Sequence, residues 1–389
     1  GGDNPETLLP GYRHPENLLS LKEVMPAQKP SSRNPWTWVP TLYVAEGLPY
    51  VMAMTVSVVM YKRLGISNTD IALYTSWLYL PWVIKPLWSP FIDLFRTKRY
   101  WIVLMQLLIG ASLACIALTV PASRFFQYTL AFFWIMAFSS ATHDTAADGF
   151  YMLGLPQHHQ AAFVGVRTTF YRIATIATKG GLVIFAGYLE SSGRDIPAAW
   201  SITLFAAAAA MAALCLYHFF ALPWPAADHP ASRRTSSSLL EESLHIFGLF
   251  FKKKDILTIV AFFLFYRLAE TQLVKIIAPF LLDPRAKGGL GLTTHEVGVV
   301  YGTVGVIALM AGGLLGGYAI YRKGLKFWIW PMVCVMHLPN LVFVYLSQAL
   351  PESFHLINMA VAVEQFGYGF GFTAYTMFMI MVSEGEYRT

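Results

Sequence analysis

The chain has 389 residues, of which 56% are hydrophobic and only 13% charged, and its mean hydropathy is +0.50. A domain that faces water carries about 25% charged residues, so this composition excludes an ordinary soluble protein. The net charge of +6 and the pI near 9.1 would suit a nucleic-acid binder, but the basic residues stand between long apolar runs, which assigns them to membrane topology.

Residues 1–34 are polar and rich in Pro, Asn and Glu; they read as a disordered cytoplasmic tail and not as a signal peptide. Met25 opens the stretch MPAQKPSSRNPW, a natural short start, which would place residues 1–24 upstream of it. Ten apolar runs then follow, each long enough to cross a bilayer. They cover 36–61, 69–93, 100–121, 125–153, 161–189, 198–222, 255–281, 295–320, 327–348 and 354–383, here spans 1 to 10. The longest polar connection divides them into a six-helix half (35–222), a cytoplasmic central loop (223–254) and a second half (255–389) with four spans. The last residues, SEGEYRT, lie just past span 10, and two further spans are expected to complete the second half. Pro49, Pro81 and Pro86 are expected to kink spans 1 and 2.

A cytoplasmic N-terminus puts Arg33, Arg96, Lys98, Arg99, Arg233, Arg234, Lys252, Lys253, Lys254, Arg322, Lys323 and Lys326 inside. It leaves Lys62, Arg63, Arg124, Arg194, Arg285 and Lys287 outside, as the positive-inside rule requires. Cys115, Cys215 and Cys334 lie in apolar runs without metal-like spacing and read as core thiols, so no metal or cofactor is expected.

Ionisable residues inside spans are costly and usually functional. Span 1 carries Glu46, span 4 His143, Asp144 and Asp148, span 7 Arg267, Glu270 and Lys275, and span 10 Glu364. Each opens one three-helix unit of the chain, and each holds at least one acid. Lys85 in span 2 and Arg167, Arg172 and Lys179 in span 5 supply countercharge. For Lys85, Asp93 and Arg167, close to span ends, a plain ion pair or a snorkelling side chain weighs as much as function.

Asp144 and Asp148 are four apart and share a helix face, so burial should make one of them hold a proton near neutrality. With Glu46, Glu270 and Glu364 they form the proton-coupling candidates. His143 points about 100° away from that face and is expected to bond a neighbouring helix. Arg267 and Glu270, three apart, are expected to pair within span 7. Arg267, Lys275, Arg172, Lys179 and Tyr375 are the substrate-binding candidates, with guanidinium suited to a carboxylate or phosphate. Seven glycines in span 8 and three after Glu364 in span 10 read as close helix packing.

Two six-helix halves built from inverted three-helix repeats describe the major facilitator fold. The loop SPFIDLFRTKRYW after span 2, with Asp93, Arg96 and Arg99, resembles the conformational loop of that superfamily, although Ser89 stands where Gly is usual and Leu94 where a base is usual. More specific segments are AEGLPY (45–50), KPLWSPFID (85–93), SSATHDTAAD (139–148), GVRTTFYRIAT (165–175), FYRLAE (265–270), THEVGVVYGTVGVIA (294–308) and EQFGYGFGFTAY (364–375). Together, in this order, they resemble the AmpG-type muropeptide permeases over most of residues 36–389. The resemblance implies a monomeric, proton-driven importer of anhydromuropeptides in the bacterial inner membrane, with the span 4 acids as the family's acidic motif.

Three rivals compete. A His-x4-Asp pair (His143, Asp148) occurs in some membrane acyltransferases, but here it lies in a long apolar span without the required loop. A channel would present rings of like residues, whereas the charges here are unlike. A sensor of the same fold would bind solute without moving it.

Overall fold

The computed structural model describes residues 33–229, 248 and 255–383. The tail (1–32), most of the central loop (230–247 and 249–254) and residues 384–389 lie outside the described residues, as do the expectations placed on them.

The chain is a series of helices joined by short turns, and its sequence sets most of their ends. Ser67 caps the start of span 2 by accepting from Asp70 N, Thr97 caps span 3 through Tyr100 N, and Asp195 caps span 6 through Ala198 N. Thr293 and Glu296 form a reciprocal capping box at the start of span 8. Gly324, at φ 78°, joins spans 8 and 9 alone, in a conformation that other residues rarely adopt.

Among the described residues, seven helices are long and apolar enough to cross a membrane: Pro35–Arg63, Lys98–Thr119, Phe163–Ser191, Ile196–Ala221, Ile256–Leu282, Thr294–Lys323 and Leu325–Ala349. Phe125–Gly154 and Phe354–Ser383, each 30 residues, correspond to spans 4 and 10. Span 2 departs from a continuous helix. It runs as Asn68–Trp77, Leu80–Ile84, a tight 3-10 turn Lys85–Leu87 and Ser89–Leu94. Pro81, Pro86 and Pro90 explain the breaks, because each removes a backbone donor and crowds the preceding turn.

Among the described residues, three spans contain a wide π-helical turn: Met52–Val56 just after Pro49 in span 1, Ala177–Leu182 in span 5 and Gly298–Val304 in span 8. Such turns cluster at functional sites. The second and third of these face each other.

Inside a bilayer, helices associate by close packing and not by expelling water. The glycines act accordingly. A Cβ on Gly312 would stand 2.1 Å from Phe366 O of span 10, and one on Gly369 2.0 Å from Leu309 O of span 8. Gly367 and Gly371 abut span 9 in the same way, at Val335 O and Met336 Cβ. Spans 3, 4 and 6 pack closely beside one another, with Trp200, Phe133, Met136 and Met211 fully buried.

The first six helices meet the last four along one seam. It is formed by Ser57–Arg63, Asn68–Trp77 and the segment 177–191 on one side, and by Ile256–Leu282 and 294–304 on the other. Two ion clusters lock its end. Lys62 Nζ lies 2.5 Å from Asp283 Oδ1, and Asn68 donates to Asp283 Oδ2 at 2.9 Å. Arg63 binds Glu190 at 2.9 Å, and Glu190 also accepts from Trp200 and from Thr294 of span 8. A Cβ on Gly187 would stand 2.2 Å from His295 N, so backbones touch across the seam. A recess of about 500 Å³ lies beside it, lined by Lys62, Arg63, Asn68, Asp283 and Lys287.

The cysteines are free; Cys215 is buried and Cys115 half-buried, but Cys334 is exposed on span 9, so it is not a core thiol.

Candidate functional site

The first charge cluster is assembled by spans 1, 2, 4 and 5. Asp148 accepts from Arg167 Nη2 at 2.7 Å and from Tyr43 Oη at 3.1 Å. The Arg167 guanidinium lies over the rings of Tyr43 and Tyr151, 4.5 and 5.2 Å from their centroids. One helical turn away, Asp144 is ion-paired with Lys85. Glu46 stands beside both aspartates, and its Oε2 is buried without a hydrogen-bond partner. Three acids therefore share two bases. The break in span 2 at Lys85–Leu87 is what turns Lys85 toward span 4.

His143 is fully buried on the other face of span 4, as its angular offset from Asp144 predicts. It meets Gln106 of span 3 at 2.9 Å; Gln106 meets His218 of span 6 at 3.0 Å, and His218 meets Thr41 of span 1 at 3.0 Å. This chain ties four helices of the first half together.

The second cluster draws on both halves. Glu270 and Glu364 are fully buried. Neither oxygen of Glu270 has a hydrogen-bond partner, while Glu364 accepts from Gln365 through one oxygen and leaves the other bare. Lys179, from the π turn of span 5, projects over the Tyr301 ring of span 8, its Nζ 3.2 Å from the centroid, and faces both glutamates. Sequence reasoning grouped Lys179 with the first-half acids; it stands with the second-half acids instead.

The pairing expected between Arg267 and Glu270 is absent. Arg267 donates to Tyr368 Oη at 3.2 Å and lies over Phe372 and Tyr375, at 5.1 and 5.7 Å. A spacing of three permits a pair on a helix, but the aromatic face of span 10 offers the guanidinium a better seat. Its Nε remains buried without a partner. Tyr50 and Tyr79 of the first half also neighbour it, and Tyr50 packs edge-on against Trp82. Arg172 adjoins Tyr50 and Tyr368. Lys275 lies apart from this group, donating across the seam to Thr75 O and Oγ1, both at 3.3 Å.

At the far end of span 3, Arg99 staples the helix to span 6, binding Leu222 O and Phe219 O and covering the Trp224 ring at 3.7 Å. Arg96, at φ 67°, lies over Tyr100. The Asp93 side chain is outside the described residues.

Sequence reasoning missed Tyr43, Tyr50, Tyr301 and Tyr368. Two had a signal: Tyr43 is three residues before Glu46 and Tyr368 four after Glu364, so each shares its acid's helix face.

The model of the major facilitator superfamily matches residues 41–388. The chain belongs to that superfamily. Transporter AmpG 4 of Rickettsia conorii is 24% identical over 346 residues, covering 86% of this chain and 78% of that protein. The anhydromuropeptide permease of Escherichia coli K12 is 24% identical over 288 residues, 72% of this chain and 54% of that one. Among solved structures, the nucleoside transporter NupG aligns over 88% of this chain and 82% of its own, with TM-score 0.61 and 16% identity. A bacterial homolog of the lysosomal transporter Spinster, inward-facing and unoccupied, aligns over 87% and 73%, with TM-score 0.64 and 15% identity. The facilitator is thus a membrane-embedded secondary transporter of small solutes and not an enzyme, which removes the acyltransferase and channel readings.

Proposed function

We propose that this facilitator imports a polar, anionic solute of the anhydromuropeptide class across the bacterial inner membrane, driven by protons and working by alternating access. The observation that carries the reading is the pairing of two features in one interior. One is interior carboxylates in excess of their bases, with Glu46, Glu270 and Glu364 buried; the other is an aromatic-walled guanidinium with an unused donor.

An excess buried carboxylate is costly when charged and inexpensive when protonated, so it favours taking up a proton. Asp144, Asp148 and Glu46 in one cluster and Glu270 and Glu364 in the other are the proton carriers. Arg267, with Arg172 and Tyr375, receives the solute's carboxylate, and the surrounding rings suit its sugar faces. Lys275 serves the seam. The Lys62 end faces outward, the N-terminus is cytoplasmic, and the chain works as a monomer. With the seam closed at the Lys62 end, alternating access calls for the solute path to open toward the cytoplasm. Arg96 and Arg99, with Asp93, steady the cytoplasmic ends of spans 2, 3 and 6 during the exchange. The likeness to the Escherichia coli protein, whose name refers to anhydromuropeptides, supports the solute class.

The test is uptake of labelled anhydromuropeptide into proteoliposomes, with and without an inward proton gradient, beside Asp144→Asn. Gradient-dependent uptake that the variant loses supports the reading. No uptake by folded protein sends the solute assignment elsewhere.

A further inference from the structure

We infer that Lys179 is a moving countercharge: it serves Glu270 and Glu364 only while the Lys62 end is closed, and its withdrawal when that end opens is what lets the second half load a proton. This rests on the reading of those glutamates as proton carriers and adds what controls them.

Lys179 belongs to span 5, in the first half, while the acids it faces belong to spans 7 and 10. It crosses between the halves where they touch most closely. A Cβ on Gly302 of span 8 would stand 2.3 Å from Lys179 O and 2.5 Å from Gly180 Cα, and one on Gly180 would meet Thr303 Oγ1 at 2.5 Å. Both segments are π turns, which break the regular ladder and ease local rearrangement. The ammonium is held by the face of Tyr301, and no acid of the first half takes part.

The groups around the two glutamates are few. Lys179 comes from span 5, Arg267 from span 7, Tyr301 from span 8 and Tyr368 from span 10. Arg267 is engaged by Tyr368 and the Phe372 and Tyr375 rings. Glu270 has no hydrogen-bond donor on either oxygen and Glu364 has one bare oxygen; of the two bases near them, Arg267 and Lys179, only Lys179 belongs to the first half and can leave with it.

Opening the Lys62 end must part spans 5 and 8, because their backbones are in contact there. Lys179 moves away with span 5. The acids lose their countercharge in an apolar interior, and a proton arriving from the newly opened side binds one of them. Reclosure returns the ammonium, which displaces the proton while the opposite side is open. The order gives import, with no contact between Lys179 and the solute.

The test needs no solute. Spin labels are placed at Ser192 and Ala286, exposed positions flanking the seam, in the full chain with its three cysteines replaced, and their separation is followed against pH in lipid. The parent is expected to open at this end as pH falls. Lys179→Met should raise the midpoint by at least one pH unit, because the acids then bind protons more readily. Lys179→Arg should restore the parent curve, and adding Glu270→Gln and Glu364→Gln to Lys179→Met should abolish the shift. A Lys179→Met curve matching the parent, or a parent indifferent to pH at this end, overturns the inference. Either result stands whether or not anhydromuropeptide is the solute, which the uptake assay decides separately.

Discussion

Lys62 and Asp283, 2.5 Å apart, join the end of span 1 to the end of span 7 across the seam between the halves. Burial pushes the Asp283 carboxyl up, but the hydrogen bonds from Lys62 and Asn68 and the charges of Lys62 and Lys287 overcome it and hold it below the usual carboxylate range. A carboxylate lowered in this way keeps its partner through neutral and mildly acidic pH, and loses it only as pH falls through the depressed value. Asp283 should therefore stay charged at pH 5, so opening of this end between pH 7 and pH 5 does not start from the clasp. Asp283→Asn should open the Lys62 end about 5-fold more often at pH 7, as expected for about 1 kcal/mol from one largely shielded pair. The open and closed populations read from spin labels at Ser192 and Ala286 check this.

The glycines of the seam differ from those elsewhere. Gly302→Ala puts a Cβ 2.3 Å from Lys179 O, whereas Gly317→Ala meets nothing within 4 Å. The first change should prevent closure of the Lys62 end and abolish uptake; the second should leave uptake within about 2-fold, since a helix position with open space beside it tolerates Ala. Both variants are to be compared in the same uptake assay.

Lys85→Met strands Asp144 without its ion-pair partner, which should cost about 1–3 kcal/mol of stability in detergent. The double variant Lys85→Met/Asp144→Asn removes both charges and should recover most of that loss while remaining inactive. Thermal unfolding followed by tryptophan fluorescence separates the two effects.

His143 touches Gln106 and not the aspartates. His143→Ala should lower stability by about 1–3 kcal/mol by leaving Gln106 unsatisfied, yet leave the pH dependence of uptake unchanged. A shifted pH profile would make His143 a coupling residue after all.

Much of the fold could be read from the chain because crossing a bilayer demands long apolar runs, and such runs are visible without any tertiary knowledge. Spans 1, 3 and 8 appear where hydropathy places them. The prolines of span 2 announced a kink but not three separate breaks, since breakage depends on what the neighbouring helices can support. The position of His143 followed from helix geometry alone. Lys179 and Arg267 were misplaced for one reason: a long basic side chain reaches partners on another helix, and local spacing shows only its own. Glu190 and Asp283 carried no local signal, because their partners Arg63, Lys62 and Thr294 are distant in sequence.

Proton movement caused by the solute separates symport from uncoupled entry. The protein is placed in lightly buffered liposomes at equal pH on both sides, unlabelled anhydromuropeptide is added outside, and external pH is recorded. Symport should produce an alkalinisation that saturates with solute and disappears in Asp144→Asn. Solute entering with no change in external pH would contradict proton coupling.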